Sequence, residues 1–113
     1  MITLYGYDTI NTLKVLMFLC ESGLNYEFKP INIRAGEQHS AEFRAINPAR
    51  KVPVIWDGDT HQTESNSILL NLAQKTGWGL MEGSSLNAKL IAWLFYQAST
   101  QGPYFGQIEY WSR

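Results

Sequence analysis

The spacing of apolar positions changes along the chain and marks out its elements. Residues 2–5 are a short β-type run closed by Gly6. Thr9 and Asn11 are both plausible caps for a helix starting at residue 11 or 12. That helix is expected to reach Ser22 and stop at Gly23, a typical residue beyond a helix end. Its interior, residues 13–20, is apolar nearly all round, which predicts burial on several sides. Residues 26–33 alternate with period two and read as a second strand. Strand, helix and strand at this spacing predict a βαβ unit with a parallel pair. After a polar loop over 34–38, Ser40 caps a short helix to Arg44 or Ala45, and Asn47-Pro48 closes it. Residues 52–56 read as a third strand with Pro53 at its start. Asp57-Gly58-Asp59 is a hairpin turn signal, so 60–63 return antiparallel. A helix from Glu64 or Ser65 to Lys75 follows, with Ile68, Leu69, Leu72 and Ala73 on one face. Residues 78–85 form a linker. A last helix runs from Leu86 toward Ser99 or beyond, interrupted or bent at Gly102-Pro103. The order βαβαββα plus one helix predicts an α/β sandwich of thioredoxin type.

Composition narrows the function classes. At 113 residues, 45% hydrophobic and 17% charged, the chain is expected to fold rather than remain disordered. Nine basic and ten acidic residues leave a net charge of -1, too weak a field to argue for nucleic acid or an anionic membrane. The apolar run 15–19 is far too short to span a bilayer. No basic segment precedes it and no small-residue cleavage site follows it, so a cytoplasmic location is expected. A single cysteine excludes an internal disulfide framework and a cysteine-rich zinc site. Cys20 lies about two turns into the first helix, too deep for a helix-start redox thiol, and reads as a core residue. His39 and His61 have no partner at metal-ligand spacing and read as surface or loop residues.

Two short segments carry candidate chemistry. Glu64-Ser65 opens a helix, where free backbone N–H groups and the helix dipole favour an anion; a plain capping pair has the same appearance. Val52-Pro53 precedes a strand. Taken alone its peptide bond reads as trans, since only about 5–6% of X–Pro bonds are cis.

Three motifs in their spacing change that reading: Leu4-Tyr5-Gly6, residues 47–54 (Asn-Pro-Ala-Arg-Lys-Val-Pro-Val) and residues 64–69 (Glu-Ser-Asn-Ser-Ile-Leu). Together they resemble the N-terminal, glutathione-binding domain of cytosolic glutathione transferases. Thr9-x-Asn11 and Gly36-Glu37-Gln38 look more like the bacterial and fungal nu-class or yeast prion-related branch than the mammalian tyrosine-type classes. The resemblance covers residues 1–80 as a full thioredoxin-like domain. Residues 81–113 look like a linker and the first helix of an all-helical second domain, truncated here, from which the family builds much of its electrophile pocket.

The resemblance implies glutathione as co-substrate, with no metal. It implies a cis Val52–Pro53 bond, with the Val52 backbone pairing with the cysteinyl part of glutathione as an added strand does. It places Ser65 on the γ-glutamyl carboxylate, Glu64 on the adjacent ammonium, and Gln38 and Lys51 on the glycyl carboxylate and amides. A free thiol of pKa ~8.5 is only about 3% thiolate at pH 7. Lowering it to ~6.5 requires about 2.7 kcal/mol. A helix start supplies at most ~2 kcal/mol, so a donor worth roughly 1.5–3 kcal/mol is needed on the sulfur. Thr9 and Asn11 are the expected donors, Tyr7 the alternative, and Tyr5 is expected to pack in its strand. The implied activity is attack of the bound thiolate on an electrophile or a disulfide. The competing reading is a non-catalytic binding or interaction module without the electrophile pocket, or a piece cut from a longer enzyme. In either case the aromatic residues of the last helix are costly to expose, which predicts a homodimer or packing against another chain.

Overall fold

The computed structural model describes residues 1–77 and 88–112. The expected 78–85 linker and the helix start at Leu86 lie outside the described residues. The chain divides into two compact units, Met1–Thr76 and Gly77–Arg113.

The first unit is built on a four-stranded sheet. Its strands are β1 (Ile2–Gly6), β2 (Tyr26–Pro30), β3 (Val54–Asp57) and β4 (Thr60–Gln62), in the spatial order β2-β1-β3-β4. β1 and β2 are parallel, with Ile2 opposite Tyr26 and Gly6 opposite Pro30. β3 runs antiparallel to β1, with Tyr5 opposite Val54, and β4 runs antiparallel to β3. The helices are α1 (Ile10–Ser22), α2 (Ala41–Ile46) and α3 (Ser65–Thr76). Alternation along β1 sends Ile2 and Leu4 into a core with Val15 and Leu19 of α1, Ile55 of β3, and Ile68 and Leu72 of α3. Tyr5 points to the other face, where its ring lies 6.4 Å from that of Phe43, the buried residue of α2. Helices therefore cover both faces, and the unit is the thioredoxin-like βαβαββα sandwich that the element order predicts.

Several boundaries differ from the periodicity. β2 ends at Pro30 rather than Ile33, because β1 offers no partner beyond Gly6. The Ile31 N–H donates to the Gly6 carbonyl, and the Asn32 side chain accepts from Arg34 and Ala35 to start a 3₁₀ turn. β3 begins at Val54 rather than Val52, and the Val52–Pro53 bond before it is cis, as the resemblance implies. α1 is buried only along Thr12, Val15 and Leu19. Leu13, Met17 and Cys20 follow at spacings of four and three on another stripe and are exposed. The all-round burial expected of this helix, and the core placement of Cys20, are thus corrected. Cys20 Sγ instead lies 3.6 Å from the Tyr26 hydroxyl.

In the second unit, α4 (Ala88–Tyr96) leads through a π-helical turn over Gln97–Gln101 into α5 (Gly102–Trp111). The expected interruption at Gly102-Pro103 is not a break. Pro103 has no N–H and its ring crowds the carbonyl four residues back. The chain adapts one turn earlier, where the Gly102 N–H reaches the Gln97 carbonyl five residues back, and it stays helical. A Cβ on Gly102 would lie 2.8 Å from that carbonyl oxygen, so the wide turn requires glycine. No described helix is long and apolar enough to cross a membrane.

Candidate functional site

Strand register gathers the candidate residues at one end of the sheet. β1 ends at Gly6 and feeds the start of α1, while Val54 at the start of β3 pairs with Tyr5. Val52–Pro53 therefore enters beside the end of β1. β4 returns so that Gln62 pairs with Ile55, which brings the start of α3 to the same end. The turns over Ile33–Ala35 and Glu37–His39 follow the end of β2 here as well. Arg50 Nη1 lies 3.4 Å from His39 Nδ1 and ties these turns to the segment before Val52. The segments that carry Thr9, Asn11, Gln38, Val52, Pro53, Glu64 and Ser65 thus lie at one end of the sheet, together with two helix N-termini whose free N–H groups and dipoles favour anions.

The residues at the α1 start have different occupations. Thr9 is the N-cap: its hydroxyl accepts from the Thr12 N–H at 3.1 Å and donates to Thr12 Oγ1 at 2.8 Å. Asn11 is the second residue of the helix, not a cap, and it is exposed with no hydrogen bond from its carboxamide among the described residues. Tyr7 is half-buried in the preceding turn, its carbonyl accepting from the Thr9 N–H at 2.7 Å. Tyr5 packs in β1, as expected.

At the α3 start, Glu64 holds a left-handed backbone at φ 66. That conformation costs a non-glycine residue of order 1–3 kcal/mol and concentrates at functional sites. The Glu64 carbonyl accepts from the Ile68 N–H at 2.9 Å, and Ser65 is the first helical residue, half-buried. Gln38 is half-buried, and its buried carboxamide oxygen has no hydrogen-bond partner among the described residues. Lys51 is exposed; its carbonyl, not its ammonium, is engaged by Asn47 Nδ2 at 2.9 Å. His39 and His61 are exposed, and the His61 ring lies 4.3 Å from that of Trp56, tilted by 47°. No group of three or more His, Cys, Asp or Glu among the described residues is placed to hold a metal.

The sequence profile of the glutathione S-transferase N-terminal domain matches residues 1–74. The chain belongs to the glutathione transferase family. It is 37% identical over 114 residues to the disulfide-bond oxidoreductase YfcG of Escherichia coli K12, covering 95% of this chain and 53% of YfcG. It is 38% identical over 115 residues to the protein URE2 of Eremothecium gossypii, covering 93% of this chain and 32% of that one, which bears out the resemblance to the yeast prion-related branch. A solved structure of a glutathione transferase family member from Pseudomonas fluorescens, with two glutathione bound, superposes with a TM-score of 0.87 at 37% identity. That superposition covers 95% of this chain and 50% of the other. The chain spans about half the length of YfcG and of the Pseudomonas protein.

Two residues that sequence reasoning passed over also lie between the starts of α1 and α3. Lys14, in the second turn of α1, donates to Asn66 Oδ1 in the first turn of α3 at 2.7 Å. Burial pushes the Lys14 ammonium below the usual lysine range, and the Glu64 carboxylate partly offsets this. The two residues lie 52 positions apart, so only the packing of α1 on α3 unites them. The usable signal was a lone lysine inside the apolar run of α1.

Proposed function

We propose that the chain binds glutathione and activates its thiol for attack on a disulfide or a small electrophile, with disulfide reduction as the favoured chemistry. The observation that carries this reading is the convergence of the α1 start, the α3 start and the cis Val52–Pro53 segment at one end of the sheet. Ser65 and the N–H groups of α3 answer the γ-glutamyl carboxylate, and Glu64 the neighbouring ammonium. The Val52 backbone pairs with the cysteinyl amide. The orphan oxygen of Gln38 accepts from a glutathione amide, and exposed Lys51 meets the glycyl carboxylate. Asn11, whose amide has no hydrogen-bond partner among the described residues, donates to the sulfur, while Thr9 holds the helix start in place.

The similarity to a disulfide-bond oxidoreductase favours the disulfide branch. The bound thiolate attacks one sulfur of the substrate disulfide, forms a mixed disulfide and expels the other sulfur as a thiolate. A second glutathione thiolate attacks the glutathione sulfur, so that oxidised glutathione leaves and the second substrate thiol is released. No cysteine of the chain takes part. A reducing, cytoplasmic setting suits this chemistry.

A second reading is a glutathione-binding interaction module, favoured by the exposed aromatic residues of α4 and α5. Titration with reduced and oxidised glutathione, followed by tryptophan fluorescence and then by turnover of a small disulfide, separates the two. Saturable binding with turnover is expected. Binding without turnover would favour the module, and no binding at millimolar ligand would overturn both readings.

A further inference from the structure

The position of Lys14 runs against helix electrostatics. A cation is stabilised at a helix C-terminus and disfavoured at an N-terminus. Lys14 lies in the second turn of α1, and its ammonium donates to Asn66 in the first turn of α3, so it sits near the positive poles of both helices. It is also half-buried, and the desolvation penalty exceeds the relief supplied by Glu64. Burial and helix polarity both disfavour a charge at this residue. A methionine or leucine would pack the same space, on a helix that is otherwise apolar here, without either cost. What such a cation adds is positive potential between two helix starts, which raises the preference of that place for anions.

We propose that Lys14 is a positioning residue of this site: through Asn66 it fixes the start of α3 against the start of α1, and its charge favours the glutathione sulfur as the thiolate. The inference rests on the reading that glutathione places its sulfur at the α1 start. Asn66 is the relay. Its side-chain oxygen faces the lysine, and its backbone belongs to the same first turn that presents Ser65 to the γ-glutamyl carboxylate. One hydrogen bond thereby sets the spacing between the two ends of the ligand.

The test uses the full chain and reads the titration of bound glutathione from the ultraviolet absorbance of its thiolate. Lys14→Met is expected to raise the pH of that titration by about one unit, that is, about tenfold less thiolate at a pH below it. Lys14→Arg is expected to restore it. Asn66→Ala is expected to shift it in the same direction, and to add little once Lys14 is already methionine. An unchanged titration in Lys14→Met that still binds glutathione would overturn the inference and leave the proposed function standing. If Lys14→Met does not fold, Asn66→Ala decides by the same reading, with an unchanged titration again fatal. Failure of the unaltered chain to bind glutathione would overturn the function and this inference with it.

Discussion

Thr9 and Asn11 stand two residues apart and meet different demands. Thr9 uses its hydroxyl twice within the chain, as acceptor from the Thr12 N–H and as donor to Thr12 Oγ1. Removing it leaves a backbone donor uncapped, so Thr9→Ala is expected to lower stability by about 1 kcal/mol, read from urea unfolding. Asn11 caps nothing and makes no hydrogen bond within the described structure, so Asn11→Ala should leave stability within about 0.5 kcal/mol. If it donates to the glutathione sulfur, as proposed, its effect belongs to the ligand. A hydrogen bond to a charged acceptor is worth roughly 1.5–3 kcal/mol, so losing it should raise the pKa of bound glutathione by about one to two units. An unchanged thiolate titration in Asn11→Ala would remove Asn11 as the sulfur donor and return that role to Thr9 or Tyr7. Ser65 is judged by affinity instead. If its hydroxyl meets the γ-glutamyl carboxylate, Ser65→Ala should weaken glutathione binding about tenfold or more. Unaltered affinity would show that it serves only to start α3.

At the scale of elements, the start of α1 is held by its fit against the end of β1. Gly6 is the last residue of that strand, and a Cβ there would run into Thr12 Cγ2 and lie 3.0 Å from Thr12 Oγ1. Thr12 is buried and accepts the bond from Thr9, so it cannot yield without moving the helix start. Gly6→Ala is therefore expected to cost about 1–3 kcal/mol in unfolding and to weaken glutathione binding at the same time. Loss of stability with full affinity would mean that the α1 start tolerates the shift. This contact also shows what periodicity conveys and what it does not. The element order, the caps at Thr9 and Ser40 and the left-handed Gly23 are local, and they were legible in the sequence. The end of β2 was not, because it depends on how far its neighbour β1 extends. Nor was the exposed side of α1, where an apolar run hides which stripe faces the core, so that Cys20 reads as buried and is not. The π turn answers a proline from a full turn away. For the candidate site, the motifs named the segments that the register brings to one end of the sheet, whereas Lys14 and Asn66 become neighbours only when α1 packs on α3.

At the scale of the whole molecule, the two units differ in how well they satisfy their own surfaces. The first encloses a core of fully buried aliphatic residues between its sheet and helices. In the second, among the described residues, no side chain of α4 or α5 is buried. Trp93 is 68% exposed and Trp111 79% exposed, and Phe95, Tyr104, Phe105 and Tyr110 are at least 60% exposed. Aromatic side chains carry roughly 150–250 Å² each, so leaving these six in water is costly. On α5, Tyr104, Ile108 and Trp111 follow at spacings of four and three and form one stripe, with Ile108 at its centre. The expected consequence is self-association of the chain as it stands. Sedimentation velocity should show a mass that rises with concentration toward a dimer, with a blue shift of tryptophan emission as Trp93 and Trp111 leave water. Ile108→Glu places a charge in the middle of the stripe at an exposed helical position, where it should not disturb folding. It should return the chain to a monomer and leave glutathione binding by the first unit unchanged. A monomer at every soluble concentration of the unaltered chain would refute the homodimer. An association that survives Ile108→Glu would place the contact on another surface, such as the exposed Ile10, Leu13 and Met17 of α1.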